Sequence, residues 1–182
     1  AVIQKLWLLE LDWDENIPIE NENEWESALQ NLLEIDRIKI PRWIGLAPEL
    51  DSELHIFCDA SESIYCVTAY CRVKTMGGPQ VNLITGKARV TPLKNESISR
   101  LELIACVLGT RMARAIAEVY ETKKEDIHFW TDSANALYWI NTPSRKVKVY
   151  VQNRVGEIHR TTDPCQWHHV KSEENPADIP TR

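Results

Sequence analysis

The sequence predicts an α/β fold, a mixed five-stranded sheet flanked by helices and preceded by an α-rich segment. Three observations predict it. Short apolar strands alternate with helical stretches in the order βββαβα(α)βα, a pattern whose simplest packing is a mixed sheet with helices laid on it. Two of the strands end alike, each on an Asp followed by a small residue, at Asp59-Ala60 and Asp132-Ser133. The apolar spacing also changes character near residue 50, from helical to alternating.

Size and composition bound the answer first. A chain of 182 residues, 43% hydrophobic, suffices for one mid-sized domain and an appendage. The first apolar run is broken by Lys5 and soon meets Asp12 and Asp14, unlike a signal peptide. No stretch approaches the roughly 20 apolar residues that cross a bilayer, so the expectation is a soluble, intracellular protein with no membrane partner. The abrupt start at Ala1 and stop at Arg182 read as a fragment of a longer chain. Five cysteines (Cys58, Cys66, Cys71, Cys106, Cys165) form no C-x-x-C pair, and several sit in apolar runs, so they read as reduced structural thiols. The net charge of −6 is unevenly spread: residues 1–50 hold 4 Lys/Arg against 11 Asp/Glu, and residues 51–182 hold 17 against 16. The acidic balance therefore belongs to the first segment and excludes no polyanionic partner for the second.

The elements follow in order. In residues 1–50, Trp25, Leu29, Leu32 and Leu33 recur at helical spacing between Pro18 and Pro41, and Pro48 marks a boundary near 45–53. Leu54–Asp59 then alternates, with Leu54, Ile56 and Cys58 on one face and His55, Phe57 and Asp59 on the other. Tyr65–Val73 is a second strand, and Gly77-Gly78-Pro79 turns the chain into a third, Val81–Thr85, completing an antiparallel meander. A helix from about Ser99 to Val119 carries Leu101, Ile104, Ala105, Leu108, Met112, Ile116 and Val119 on one stripe, with Ser97 or Ser99 as its cap. Ile127–Thr131 is a fourth strand, Ser133 to about Ile140 a short helix, Val149–Arg160 weakly helical and Gln166–Val170 a fifth strand. Trp130, Trp139 and Trp167 fall in apolar patterns and read as core.

The chemistry lies in carboxylates. A strand ending in Asp delivers its carboxylate where α/β sheets bind ligands. If a crossover through the long helix makes the first and fourth strands parallel neighbours, Asp59 and Asp132 lie ~5–7 Å apart, because adjacent strands are spaced near 4.8 Å. Carboxylates that close repel unless cations lie between them. Each Asp alone reads more readily as opening a turn or capping a helix; two matched strand ends favour a shared ligand. Glu102, in the first turn of the long helix, complements the helix dipole and also aims at the strand ends.

Asp59 in F-C-D-A-S, Glu102 in S-R-L-E-L, Asp132 in W-T-D-S and Asp178 in N-P-A-D resemble the four acidic motifs of retroelement ribonuclease H domains, in the same order, with gaps of 43, 30 and 46 residues. Leu8–Asp14, Ile40–Arg42, K-A-R-V-T-P-L-K (87–94), N-R-V-x-E-I (153–158) and N-P-A-D-I-P-T-R (175–182) are similar to BEL/Pao retrotransposon polyproteins, a likeness that covers nearly the whole chain. The resemblance implies a connector over 1–50 that follows a reverse transcriptase, and a ribonuclease H-like domain over 51–182. It implies a magnesium- or manganese-dependent endonuclease that uses two ions to hydrolyse the RNA strand of RNA–DNA hybrids during reverse transcription, leaving a 3′-hydroxyl and a 5′-phosphate. Asp59 would bridge both ions, Glu102 and Asp132 would hold the one at the leaving oxygen, and Asp178 the one at the attacking water. The partners implied are the hybrid and the upstream reverse transcriptase domain, in a cytoplasmic virus-like particle.

Related enzymes carry a His shortly before the last Asp. Here V-K-S-E-E-N-P-A-D (170–178) has none; His168 and His169 read as structural, and Glu173 or Glu174 as a partial substitute. Ser61, Ser97, Arg100, Ser133 and Asn135 flank the acids as candidate substrate contacts, with capping as the alternative for the serines. Arg145, Lys146 and Lys148 near Tyr150 form a basic-aromatic patch suited to a nucleic-acid strand or to plain solvation. Two other readings stand beside the nuclease: a Pao-type aspartic peptidase, disfavoured because neither Asp59-Ala60-Ser61 nor Asp132-Ser133-Ala134 supplies Asp-Thr/Ser-Gly, and a non-catalytic ribonuclease H-like arm of a reverse transcriptase.

Overall fold

The computed structural model describes residues 2–41, 43–45, 51–93, 96–143 and 146–182. Arg42, Pro48, Lys94 and Arg145, singled out above, lie outside the described residues. The chain divides into two compact units, Ala1–Arg42 and Trp43–Arg182. Among the described residues no helix is long and apolar enough to cross a membrane.

The first unit is helical. Helix α1 spans Val2–Trp7, and α2 spans Ile19–Leu33 before a 3₁₀ turn over Glu34–Arg37. Pro18 starts α2, since a fixed φ and a missing N–H cost nothing where the N–H would be unpaired anyway. Lys5 reaches Glu24 at 2.8 Å. Helix α2 buries no residue, and Trp7 and Trp13 are 73% and 98% exposed.

The second unit holds the sheet: β1 Ser52–Ala60, β2 Ile64–Thr75, β3 Gly78–Val90, β4 Ile127–Thr131 and β5 Trp167–His169, in the order β3-β2-β1-β4-β5. β1, β2 and β3 form the expected antiparallel meander; β4 lies parallel to β1 and β5 parallel to β4. Helix α3, Ile98–Tyr120, crosses the sheet between β3 and β4, followed by α4, Ala134–Asn141, and α5, Val149–Thr161. β4 falls on the predicted residues. β3 runs past the expected Thr85, because Gly86–Val90 continues the ladder opposite Ile64–Thr68 although Lys87 and Arg89 face solvent. Its register jumps from Ala69↔Thr85 to Tyr70↔Leu83, which makes Ile84 the extra residue of a bulge.

The core forms where α3, α4 and α5 meet one sheet face. Leu54, Ile56 and Cys58 of β1 pack there with Val67 and Ala69 of β2, Phe129 of β4, Leu103 of α3, Ile140 of α4, and Val155 and Ile158 of α5. Val151, Val155 and Ile158 recur at helical spacing, and burying them makes a helix of the weakly helical 149–161 stretch. Trp167 is buried against Phe129, while Trp130 and Trp139 are only partly so. The described cysteines are all free thiols, four buried and Cys165 exposed.

Helix α3 approaches β1 closely at Gly109. A Cβ there would stand 2.6 Å from Cys58 Sγ and 3.2 Å from Ile56 Cγ2, both within the core. Gly109→Ala is expected to destabilise the domain by about 1–3 kcal/mol through overpacking, against its small gain in helix propensity. Urea unfolding checks this; unchanged stability would mean that the helix sits farther from the strand.

Candidate active site

Asp59 is the penultimate residue of β1, and the β1–β4 register ends at Cys58↔Thr131. Asp59 and Asp132 therefore leave adjacent parallel strands at the same end, where strand spacing is about 4.8 Å. Asp59 is only 7% exposed. Burial raises its carboxyl above the ordinary range; a hydrogen bond from the Thr181 hydroxyl opposes this, and repulsion from Asp132 and Asp178 adds to it.

Glu102 comes from α3. The helix begins at Ile98, so Glu102 lies in its second turn rather than its first, and the dipole explanation for an early acid falls away. Its side chain is half-buried and its carboxyl is also raised, by burial first, against a hydrogen bond from Ser133 and with repulsion from Asp132 and Asp59. Asp178 opens a 3₁₀ turn over Ile179–Thr181. Contacts tie the acid-bearing segments together: Ser133, beside Asp132, donates to Glu102, and Thr181, from the turn that Asp178 opens, donates to Asp59.

Each carboxylate also has a donor of its own. Thr181 Oγ1 donates to Asp59, Ser133 Oγ to Glu102 at 2.5 Å, Ser172 Oγ to Asp132 at 2.6 Å and Arg182 Nε to Asp178 at 2.6 Å. Asn175 secures the last segment: it is buried, its Nδ2 donates to the Cys58 carbonyl at 3.2 Å, and its Oδ1 accepts from the Ala177 N–H. Thr181, Ser172 and Asn175 were not predicted as site residues. Their signal lay in N-P-A-D-I-P-T-R and the K-S-E-E before it, where only Asp178 stood out. Ser172, rather than Glu173 or Glu174, reaches an acid from that stretch.

The flanking residues divide. Ser133 caps α4, accepting from the Ala136 N–H at 3.0 Å while it donates to Glu102, so capping and site roles coincide. Asn135 Nδ2 donates to Ser99 Oγ at 3.0 Å, tying the starts of α4 and α3 together. Ser61 is taken up by its own turn, accepting from the Ser63 and Ile64 N–H groups. Ser97 sits at the start of α3 with no side-chain cap bond, and Arg100 pairs with Glu96 at 2.9 Å. The cations over the Tyr150 ring are Arg100 and Arg154, at 4.4 and 3.5 Å, rather than the lysines before it. His168 packs at a tilt against Trp130 and His128, a structural position.

Four partly buried carboxylates are a hard-oxygen donor set of the kind that divalent cations take, and their mutual repulsion fits such an ion. Among the described residues, no three His, Cys, Asp or Glu side chains are already gathered around a common ion position.

A family model described as "Pao retrotransposon-like RNaseH-like domain" matches residues 1–133. The chain belongs to that family. The match includes Asp59, Glu102 and Asp132 and stops short of Asp178. No curated protein matches the chain. Among solved structures, the chain is similar to the N-terminal RNase H domain of a Mycobacterium tuberculosis protein, at 12% identity and a TM-score of 0.45, covering 71% of this chain and 90% of that one. It is also similar to LC11-RNase H1 in complex with an RNA/DNA hybrid, at 9% identity and 0.47, covering 71% and 92%. A foamy viral protease-reverse transcriptase in complex with dsDNA matches at 15% and 0.37, covering 93% of this chain and 34% of that one. The ribonuclease H-like fold rests on the family match together with the strand order and register.

The raised carboxyls have a consequence for stability. Asp59 and Glu102 bind protons more tightly folded than unfolded, so their contribution to stability falls as pH rises from the ordinary carboxylate range through their raised values. In chelator, Asp59→Asn is expected to remove part of that fall and to raise Tm near pH 7 by about 2–4 °C, the shift that ~1 kcal/mol gives at this chain length. Differential scanning calorimetry of both proteins from pH 4 to 7 checks it; a lower Tm for the variant throughout would mean that the carboxylate is net stabilising.

Proposed function

We propose that this chain is an endonuclease that hydrolyses the RNA strand of RNA–DNA hybrids, with Asp59, Glu102, Asp132 and Asp178 as its catalytic acids and as ligands of two divalent cations, Mg²⁺ or Mn²⁺. The observation that carries the reading is the β1–β4 register, which lets Asp59 and Asp132 leave adjacent parallel strands at one end; Ser133 on Glu102 and Thr181 on Asp59 draw the other two acid-bearing segments toward it. When bound, two such ions supply a water of lowered pKa and a clamp on the leaving oxygen. The chain's own part is to hold the carboxylates. Thr181, Ser133, Ser172 and Arg182 each orient one carboxylate oxygen, and Asn175 fastens the Asp178 segment to the end of β1. In this reading Asp59 would help to hold both ions, Glu102 and Asp132 would hold the one on the leaving-group side, and Asp178 the one on the side of the attacking water.

Residues 1–50 are proposed as a connector that follows a reverse transcriptase in one polyprotein, working in a cytoplasmic particle. Helix α2, without a buried residue of its own, is consistent with a segment that packs on a neighbour. A second reading, a non-catalytic ribonuclease H-like arm, draws support from the intramolecular donor that each acid already has. The peptidase reading has no such support.

Asp59→Asn and Glu102→Gln are each expected to lower hybrid cleavage by at least about 100-fold, or about 2.7 kcal/mol of barrier, with unchanged circular dichroism. Cleavage of a labelled RNA–DNA hybrid should require Mg²⁺ or Mn²⁺, stop in chelator and persist with pepstatin. Full activity in either variant would remove that residue from the site. No Mn²⁺ binding by calorimetry, together with no cleavage, would favour the non-catalytic arm.

A further inference from the structure

On the helix-covered face of the sheet lies an open cleft of about 350 Å³ between β2, β3, α3 and α5, lined by Tyr65, Arg89, Ile104, Arg111, Arg154 and Glu157 among others. Its position follows from register. Tyr65 pairs with Ala60, the residue after Asp59, and Arg89 pairs with Tyr65, so the cleft opens at the acid-bearing end of β1. Along α3, Arg111 lies nine residues beyond Glu102, an axial offset of about 14 Å at 1.5 Å per residue, on the other side of the helix. The sequence places these arginines on three separate elements, so only folding shows that they share one surface.

The three guanidinium groups differ in state. Arg89 is exposed on the edge strand and has no ion-pair partner among the described residues. Arg154 is held flat, its guanidinium 3.5 Å from the Tyr150 ring centroid and its Nη1 donating to the Tyr150 carbonyl at 3.1 Å. Arg111 forms a two-pronged pair with Glu157, Nε to Oε1 at 2.6 Å and Nη2 to Oε2 at 3.0 Å. That fork is the geometry with which arginine takes two oxygens of a carboxylate or a phosphate. The cleft continues into two further open hollows: one brings Arg114 and Arg160 beside Arg111, the other Lys87 beside Arg89.

We propose that this cleft binds the phosphate backbone of a nucleic-acid strand passing the acidic site, with Arg89 and Arg154 as phosphate partners and Arg111 joining them by exchanging the Glu157 carboxylate for a phosphate. The identity of the ligand rests on the nuclease reading above. The site is distinct from the acids: it supplies grip without base readout, and lies on the β3 side, away from Ser133 and Asn135.

The test is hybrid binding by fluorescence anisotropy, using the 182-residue chain, a short labelled RNA–DNA duplex and Ca²⁺ to hold back cleavage. Arg89→Ala is expected to weaken binding about 3- to 10-fold at moderate salt and to make the slope of log K against log salt shallower by ~0.9, the loss of one phosphate contact. Arg89→Glu should weaken it more than 10-fold, and Arg89→Lys should restore most of the loss. Glu157→Gln should move the other way and tighten binding, because Arg111 loses its competing carboxylate. Since Arg89 is exposed and unpaired, thermal unfolding of its variants should match the parent chain. Unchanged affinity and slope in Arg89→Glu would overturn the proposal, as would Arg89-dependent binding of a polyglutamate peptide with hybrid binding unaffected. A parent chain that cleaves the hybrid in Mg²⁺ while Arg89→Glu binds it equally well defeats the cleft alone. A parent chain that binds through Arg89 and never cleaves defeats the nuclease reading and leaves the cleft standing.

Discussion

The arrangement depends on the parallel pairing of β1 with β4. These strands are far apart in sequence, and hydrogen bonding in register from Leu54↔Ile127 to Cys58↔Thr131 sets Asp59 and Asp132 side by side. The pairing needs a crossover, and α3 supplies it by lying close over β1, where Gly109 leaves room for Cys58 and Ile56. The same helix carries Glu102 to the strand ends. Backbone hydrogen bonds and core packing thus hold carboxylates near one another, and the Asp59 and Glu102 carboxyls are raised by burial first and by their neighbours' charge second.

Much of this was legible in the residues, for identifiable reasons. β4 is legible residue for residue because Ile127–Thr131 alternates in burial and ends at Asp132-Ser133. The acids stood out because two strands ended alike. The end of β3 is not legible, because Gly86 and Lys87 interrupt the pattern of a strand whose outer half faces solvent, where sequence carries little signal. Arg100 and Arg154 reach the Tyr150 ring from α3 and from the next turn of α5, contacts that adjacency in sequence does not reveal.

The donors on the carboxylates were the least legible part. Thr181 reaches Asp59 across 122 positions and Ser172 reaches Asp132 across 40. No local rule marks one hydroxyl among many as the partner of a distant acid. Asn175 is similar: an Asn before a Pro reads as a turn, and only the folded chain shows its amide on the Cys58 carbonyl. These contacts make the last residues of the chain part of the same network as the first strand of the sheet.

The outer strand β3 carries one more consequence. A ladder of 13 residues at the rim of a sheet would ordinarily be a template on which a second molecule adds its own strand. The bulge at Ile84 breaks its regularity, Pro79 withholds a donor, and Lys87 and Arg89 put charge along the rim. At the opposite rim β5 offers only three residues. The sheet thus resists edge-to-edge aggregation without closing into a barrel.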